Sequence, residues 1–199
     1  MPDSAAATSN LGFAILGLLA RRACTGYEVA QRMRQPIGYF WTARHSQIYP
    51  ELNRLDAAGL VEHEVIEGAG PRPTKRYRIT DVGRDALAAW VVGDLEPQPV
   101  RDLEVLRLWS IWTVEPAAAD ELVGRLEATH QSVLDRYLDE LAEISADPGV
   151  DDPSNPLFAS RITLEGGIRS RRTAVEWCAW MRAELAAAER RAQTFGRTT

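Results

Sequence analysis

The change of hydrophobic spacing at Gly59 constrains the fold of this chain more than any other feature. Before it, in the segment HSQIYPELNRLDAAGL that starts at His45, apolar residues recur at helical spacing. After it, LVEHEVIEG (60–68) and KRYRIT (75–80) alternate with a period of two, which indicates two strands joined by the turn-rich AGPRPT. Few small folds place a β-hairpin directly after a helix that ends at a glycine.

The segments around this helix and hairpin complete a recognisable order of elements. A first helix is expected over about residues 9–22, a second between Gly26 and Pro36, and another from Thr80 through DVGRDALAAWV. Three helices, a hairpin and a closing helix are the order of a winged helix-turn-helix domain. The residues expected to face inward in the first two helices are Leu11, Ile15, Leu18, Leu19, Tyr27, Val29, Ala30 and Met33.

Everything after a proline-containing stretch, GDLEPQP (93–99), has helical spacing. VRDLEVLRLWSIWT (100–113) is apolar nearly all round, so both of its faces should be covered. Two long amphipathic helices are expected over about 116–144 and 157–193. The predicted fold is therefore mainly α with a small β-hairpin. Residues 1–92 would form the winged helix-turn-helix domain, 93–99 a linker, and 100–199 an α-helical C-terminal dimerisation domain.

The back half carries more apolar surface than two long helices can bury between them. We expect a second copy of the chain to cover it, since two-fold homodimers are the commonest oligomers. A self-contained helical bundle is the alternative, because such stripes also pack within one chain. The residues expected in the dimer contact are Leu122, Leu126, Val133, Leu164, Ile168, Val175, Trp177, Trp180 and Met181.

The helix that starts near His45 has an outward face suited to the major groove of DNA. Ile48, Leu52 and Leu55 share one side, which leaves short polar or basic residues on the other. Pro50 is expected near the helix start, where the cost of a missing backbone donor is reduced. An ordinary solvated surface is the alternative. The residues expected to contact DNA here are Arg44, Ser46, Gln47, Tyr49, Asn53 and Arg54.

The hairpin concentrates positive charge. Arg76 and Arg78 share one face of the second strand, Lys75 lies on the other, and Arg72 is at the tip. Contact with DNA phosphates or a narrow minor groove is the functional interpretation, and a solvated face is the alternative. The adjacent helix-turn-helix favours DNA contact.

The distribution of charge fits this interpretation better than the formal net charge of −5 does. Residues 1–92 hold 11 basic and 9 acidic residues, whereas the remainder holds 12 and 19. A slightly basic front half joined to an acidic back half is typical of a DNA-binding domain on a body that does not bind DNA.

Other function classes find little support. Cys24 and Cys178 form no CxxC pair, and His45, His63 and His130 lack metal-ligand spacing, so no metal or other cofactor is expected. No serine lies in a nucleophile motif and no glycine loop could cradle phosphate, so we expect no catalytic residues and no enzyme.

No membrane partner is expected either. The apolar run 11–20 is too short to span a bilayer, and the N-terminal residues MPDSAAATSN have no basic segment of the kind that precedes a signal sequence. The expected compartment is the cytoplasm.

The tryptophans of the back half admit two interpretations. Trp177 and Trp180 fit a core or dimer contact, whereas Trp109 and Trp112 are candidates to line a pocket for a planar aromatic effector.

Three segments together resemble one family of bacterial transcription regulators: GYEVAQRM, FWTARHSQIYPELNRLDAAGLVE and GPRPTKRYRITDVGRDAL. They are similar, in order and spacing, to the PadR family over roughly residues 10 to 90. The resemblance implies a homodimeric repressor on a palindromic operator, with Ser46, Gln47 and Tyr49 reading the groove and Lys75, Arg76 and Arg78 touching the backbone. It also implies release by phenolic acids or bulky aromatic drugs, as in some relatives. A MarR-like regulator with a different dimer architecture and a winged-helix protein-interaction module are the remaining alternatives.

Overall fold

The computed structural model describes residues 8–33, 44–67, 73–95 and 101–196, and the chain divides into two units, Met1–Gln98 and Pro99–Thr199. The first unit contains α1 (Asn10–Arg21), β1 (Cys24–Thr25), α2 (Gly26–Arg32), α3 (His45–Ala57), β2 (Val61–Ile66), β3 (Thr74–Ile79) and α4 (Asp81–Val91). The second contains α5 (Leu103–Trp109), α6 (Pro116–Ser145) and α7 (Pro156–Gly196), with 3₁₀ turns at Ile111–Thr113 and Pro148–Asp151. Among the described residues, no helix is both long enough and apolar enough to cross a bilayer.

Helix α1 begins at a serine cap and forms the centre of the first unit's core. The Ser9 hydroxyl accepts a hydrogen bond from the Gly12 backbone N–H at 3.0 Å, which satisfies one of the free donors at the helix start. The inward face predicted for this helix is confirmed for Ile15, Leu18 and Leu19, whereas Leu11 is only partly covered.

Helix α2 begins with a reciprocal cap. The Thr25 hydroxyl accepts from the Glu28 backbone N–H at 3.2 Å, and the Glu28 carboxylate accepts from the Thr25 backbone N–H at 2.7 Å. The prediction that Tyr27 faces the core is wrong, since its side chain is 67% exposed. Tyr27 precedes the buried Val29 by two residues, or about 200° around the helix, so it faces solvent.

The sheet has one strand more than the predicted hairpin. Strands β2 and β3 pair antiparallel in the register Val61↔Ile79, as the two-residue alternation predicts. On its other side β3 pairs with β1, with Cys24 opposite Tyr77, so the strand order is β1-β3-β2. Strand β1 has only two residues, too few to produce any periodicity in the sequence.

Helix α4 approaches the end of α3 so closely that only glycine fits at the contact. Gly59 has φ +70°, the left-handed conformation of a helix C-terminus, and its carbonyl accepts from the Thr80 hydroxyl at 2.7 Å. Thr80 caps α4, and a β-carbon at Gly83 would stand 2.1 Å from the Leu60 carbonyl oxygen. Gly83 therefore sets the distance at which α4 covers the core.

The second unit is built on an antiparallel pair of long helices. Tyr137 of α6 lies against Gly167 of α7, where a β-carbon would be 2.9 Å from its ring. Nearer the N-terminus of α6, Asp120 pairs with Arg182, so the two helices run in opposite directions.

Two predictions about the second unit concern surfaces that the single chain does not cover. Leu122, Leu126 and Val133, predicted to lie in the dimer contact, are half-buried, and the most buried α6 residues are Ala119, Val123, His130, Leu134 and Tyr137. The segment 100–113 was expected to be covered on both faces, and within the described chain Leu103 is 72% and Trp109 81% exposed. Helix α5 has seven residues and cannot bury apolar groups on every side against a single neighbouring face.

Candidate nucleic-acid interface

Helix α3 separates a buried apolar face from an exposed polar one, as its spacing predicts. Ile48, Leu52 and Leu55 are at most 2% exposed and anchor the helix in the core of the first unit. The six residues predicted to contact DNA from this helix are all exposed on its outer side: Arg44, Ser46, Gln47, Tyr49, Asn53 and Arg54. An α-helix presenting such short polar groups fits the width of a major groove.

Pro50 does not lie where its cost would be smallest. It is the sixth residue of α3, beyond the four backbone donors that are free at any helix start. The Ser46 carbonyl therefore loses its usual helical donor. Ser46 is exposed, so this carbonyl is accessible to water or to a donor from a bound partner.

Two of the exposed side chains are held by local contacts. The Gln47 Oε1 atom accepts from the Arg44 backbone N–H at 3.0 Å, which leaves its amide N–H groups as outward donors. The Tyr49 ring lies over Gly26 at the start of α2 and within 5.6 Å of the His45 ring. Both side chains therefore reach solvent in restricted orientations.

A buried carboxylate that sequence reasoning missed lies directly beneath this face. Glu51 is 4% exposed, and its two oxygens accept from Ser9 Oγ at 2.6 Å and from the Arg54 guanidinium. The signal was available, because residue 51 falls on the inward side of α3, about 40° around the helix from Leu55 and about 60° from Ile48. A carboxylate on an inward face implies a nearby donor or cation.

The wing strand β3 presents a face of mixed charge. Lys75, Arg76 and Arg78 are exposed, but the Arg78 Nε atom donates to Glu62 Oε1 at 3.0 Å. Arg76 lies opposite Glu64 in the β2–β3 register. Lys75 is opposite Val65, so it has no acidic neighbour directly across the ladder. Arg72, the predicted tip residue, lies outside the described residues.

A histidine bridge ties the wing to the end of α3. The His63 Nδ1 atom lies 3.0 Å from Asp56 Oδ2, and its ring contacts the Tyr77 ring at 5.6 Å. Burial, reinforced by the negative charge of Asp56, raises the pKa of the Tyr77 phenol. The orientation of β2 and β3 is thus linked to that of α3.

In the second unit, a groove runs between α5, the following 3₁₀ turn and α7. It encloses about 320 Å³ and is lined mainly by Leu108, Ile111, Trp180, Met181 and Leu185, with the charged Glu184 and Arg191 at its edge. Trp109 and Trp112, the predicted effector residues, do not line this groove and are 81% and 82% exposed. The Trp109 ring lies in a different direction from Leu108 because successive residues of a helix point about 100° apart.

The predicted dimer residues fall into three groups by burial. Leu164 and Ile168 are buried within the single chain, so they pack in the intramolecular α6–α7 contact and are not free to meet a second copy. Val175 and Met181 are half-buried, as are the α6 residues Leu122, Leu126 and Val133. Trp177 and Trp180 are exposed and remain available.

The titratable groups of the second unit are engaged with one another. His130 is 4% exposed and lies 3.0 Å from Glu104 of α5 and 2.9 Å from Arg171 of α7. Burial, together with the charges of Glu127 and Glu104, raises the pKa of the Cys178 thiol. Among the described residues, no three His, Cys, Asp or Glu side chains are arranged to hold a metal ion.

Comparison with known families assigns both halves of the chain. Residues 15–89 match the transcriptional regulator PadR-like family, and residues 100–186 match the virulence activator alpha C-terminal family. A probable transcriptional regulator of Mycobacterium tuberculosis, Rv1176c, is 33% identical over 178 residues, which cover 84% of this chain and 93% of that protein. The chain belongs to the PadR-like family of transcriptional regulators.

Solved PadR-like structures have the same fold. Bacillus subtilis PadR in complex with operator DNA superposes with a TM-score of 0.79 at 25% identity, covering 89% of this chain and 99% of that one. The same protein in complex with p-coumaric acid gives 0.74 at 26% identity over 88% and 95%. The Vibrio cholerae virulence activator AphA gives 0.68 at 30% identity over 90% and 99%.

Membership of the PadR-like family decides between the alternatives that the sequence left open. The protein is a DNA-binding transcriptional regulator with a winged-helix domain, not an enzyme. A MarR-like architecture and a winged-helix protein-interaction module are both replaced by this assignment.

Proposed function

We propose that this protein is a homodimeric repressor that binds a palindromic operator and is released by a small aromatic effector. The exposed polar face of α3, in the same unit as the exposed basic residues of β3, is the observation that carries the proposal. In this scheme residues 1–92 bind DNA, 93–99 link the two parts, and 100–199 dimerise and sense the effector.

The residues divide into two roles on DNA. Ser46, Gln47, Tyr49 and Asn53 are short or oriented groups that would read base edges in the major groove. Lys75, Arg76 and Arg72 would contact phosphates. Arg44 lies at the start of α3, where contact with the DNA backbone is common. The positive charge of Arg78 is paired with the carboxylate of Glu62, so Arg78 would contribute less to phosphate binding.

The first experiment selects binding sites from a random duplex pool with the purified full chain at near-physiological salt. A recovered palindrome with half-sites about one helical turn (~34 Å) apart supports a two-fold dimer on DNA. Enrichment of no sequence, or of a single half-site only, contradicts the proposal.

Two substitutions then test the residue roles on the recovered site. Arg76→Ala should weaken binding to every sequence and flatten the slope of log affinity against log salt by roughly 1.8, because the homodimer loses one phosphate contact from each protomer. Gln47→Ala should instead cost about 1–3 kcal/mol on the operator only, with binding to scrambled DNA unchanged. Equal losses of both variants on both DNAs would contradict the assignment of α3 as the reading element.

Dimerisation is supported by the apolar surface that the single chain leaves uncovered on α5 and α7. Leu106 is 61% and Trp180 59% exposed. Isolated exposed apolar residues are ordinary on a protein surface, but several on neighbouring helices are typical of an interface. Sedimentation of Leu106→Glu and Trp180→Glu should show monomers where the parent is a dimer, whereas Val65→Glu on the exposed side of β2 should leave the dimer intact. A dimer that survives both substitutions would contradict this interface.

The effector part of the proposal is supported by the groove beside Trp180 and by the p-coumaric acid complex of the Bacillus subtilis relative. A planar acid could lie against the indole with its carboxylate towards Arg191. Such a ligand releases DNA only if it binds the free and DNA-bound conformations unequally. Titration with p-coumaric acid should lower operator affinity in the parent and in Trp109→Leu, but not in Arg191→Gln, which removes the cation proposed to face the carboxylate. Release that survives Arg191→Gln would place the effector elsewhere.

A further inference from the structure

The side chain of Arg54 differs from the other exposed basic groups of the first unit because a buried carboxylate holds it. The side chain is 71% exposed, yet one of its terminal guanidinium nitrogens donates to Oε2 of Glu51, whose side chain is 5% exposed. The other carboxylate oxygen, Oε1, accepts from Ser9 Oγ at 2.6 Å. Each oxygen of Glu51 therefore has its own donor, one from the cap of α1 and one from α3 itself.

The Ser9 end of this chain of contacts is held by a second hydrogen bond. Ser9 is the cap of α1, and its hydroxyl oxygen also accepts from the Gly12 backbone N–H at 3.0 Å. Gly12 leaves the space that the carboxylate occupies, because a β-carbon there would be 2.7 Å from Glu51 Oε1. Glu51 is thus fixed relative to α1 and to the core, and it transmits that position to Arg54.

An arginine held in this way acts differently from a free one. Its guanidinium has five N–H donors in a fixed, planar, fork-like arrangement, and the donors not used by Glu51 stay directed outwards. Less side-chain entropy is therefore lost when these donors bind a partner. Its charge is largely balanced by Glu51, so it releases fewer DNA counterions than an unpaired arginine would. Both properties favour hydrogen-bond recognition over non-specific charge attraction.

We propose that Glu51 is a positioning residue for DNA recognition, which holds Arg54 as an oriented donor so that Arg54 discriminates between sequences. The inference rests on the proposed function, since it assumes that the outer face of α3 enters the groove. Acceptors on guanine edges, O6 and N7, are the DNA groups that such a fork recognises.

Glu51→Gln tests the proposal because it keeps the shape of the side chain and an acceptor for Ser9 while replacing the acceptor for Arg54 by an amide donor. The released Arg54 would become a mobile positive charge. We expect the ratio of operator to scrambled-DNA affinity to fall about tenfold, while binding to scrambled DNA strengthens and its salt slope steepens by roughly 1.8, or about 0.9 for each protomer of the dimer. A merely structural role for Glu51 would lower both affinities together and leave their ratio unchanged.

Two further variants make the test specific. Asp85→Asn on the exposed side of α4 changes the net charge by the same amount and should leave the ratio unaltered. Arg54→Lys keeps the charge and loses the fork, so it should lower the ratio without changing the salt slope. In the double variant Glu51→Gln/Arg54→Gln, the ratio should equal that of Arg54→Gln alone, because Glu51 acts through Arg54.

The outcomes separate failure of the proposed function from failure of the positioning role of Glu51. If the parent protein selects no sequence from the duplex pool, the proposed function fails and this inference fails with it. If the parent selects an operator and Glu51→Gln discriminates equally well, only the positioning role is overturned. If Glu51→Gln does not fold, as judged by its thermal transition, Arg54→Lys decides: an unchanged ratio overturns the proposal and a reduced ratio supports it.

Discussion

The ring of Tyr49 lies against Gly26, with its Cε1 atom 2.6 Å from the point where a β-carbon at residue 26 would stand. Helices α2 and α3 therefore meet through an aromatic ring that only glycine can accommodate. The same ring is 44% exposed on the face proposed to enter DNA. Tyr49 thus connects the packing of α2 with the surface of α3.

Gly26→Ala should displace the Tyr49 ring without unfolding the first unit. The ring is the far end of a side chain that can swing outwards, and alanine is a better helix former than glycine by roughly 1 kcal/mol. We expect a thermal midpoint close to that of the parent and a reduced ratio of operator to scrambled-DNA affinity, measured by fluorescence anisotropy. In a Tyr49→Ala background the same substitution should have no further effect on the ratio. Additive losses would show that Gly26 acts through another group.

Gly83→Ala should be among the most destabilising substitutions in the first unit. Its β-carbon would stand 2.1 Å from a backbone oxygen, that of Leu60, which cannot rotate away as a side chain would. Moving α4 off the core would cost on the order of 2–4 kcal/mol. The measurement is the urea midpoint of the first unit's transition. Gly17→Ala is the matched control, because nothing lies within 4 Å of its β-carbon position and it should be neutral or stabilising. Similar midpoints for the two variants would contradict the close approach.

Features that depend on residues close together in the sequence were predicted correctly, whereas features that depend on contacts between distant residues were not. Helix α4 was predicted with its cap and both ends, because Thr80 and the spacing after it are local signals. The Ser9–Glu51 bond joins residues 42 positions apart, and no local pattern records which hydroxyl a buried carboxylate will meet. Strand β1 forms only because β3 passes beside Cys24, a fact of tertiary structure.

Replacing His130 should loosen α5. Arg171 can only donate, so it donates to Nδ1 of His130, and the proton on Nε2 is then directed at Glu104 of α5. His130→Ala would leave both charged partners without this link, at a cost on the order of 2–4 kcal/mol. We expect faster tryptic cleavage after Arg107 in α5. His130→Gln should behave like the parent, since an amide can accept from Arg171 and donate to Glu104. Equal cleavage rates in all three proteins would show that His130 does not hold α5.

The contact between Asp120 and Arg182 should make the stability of the α6–α7 pair depend on pH in the acid range. Arg182 donates to both oxygens of Asp120, at 2.9 and 3.3 Å, and these hydrogen bonds hold the pKa of Asp120 below its ordinary value of 3.8. Because the pKa is lower in the folded state, the contribution to the free energy of unfolding is complete above pH 3.8. It is lost as the pH falls through the folded value.

Arg182→Gln therefore should lower the urea midpoint of the second unit at pH 7, and this effect should shrink as the pH falls through the lowered pKa of Asp120, where Asp120 becomes protonated in the parent too. The difference at pH 7 should also shrink in 1 M NaCl, because both groups are half-exposed and screened by salt. Arg169→Gln is the matched control, since its partner Glu165 lies on the same helix and the pair joins no two elements. A difference between Arg182→Gln and the parent that does not shrink as the pH falls through the lowered pKa of Asp120 would show that the side chain stabilises α6–α7 through packing alone.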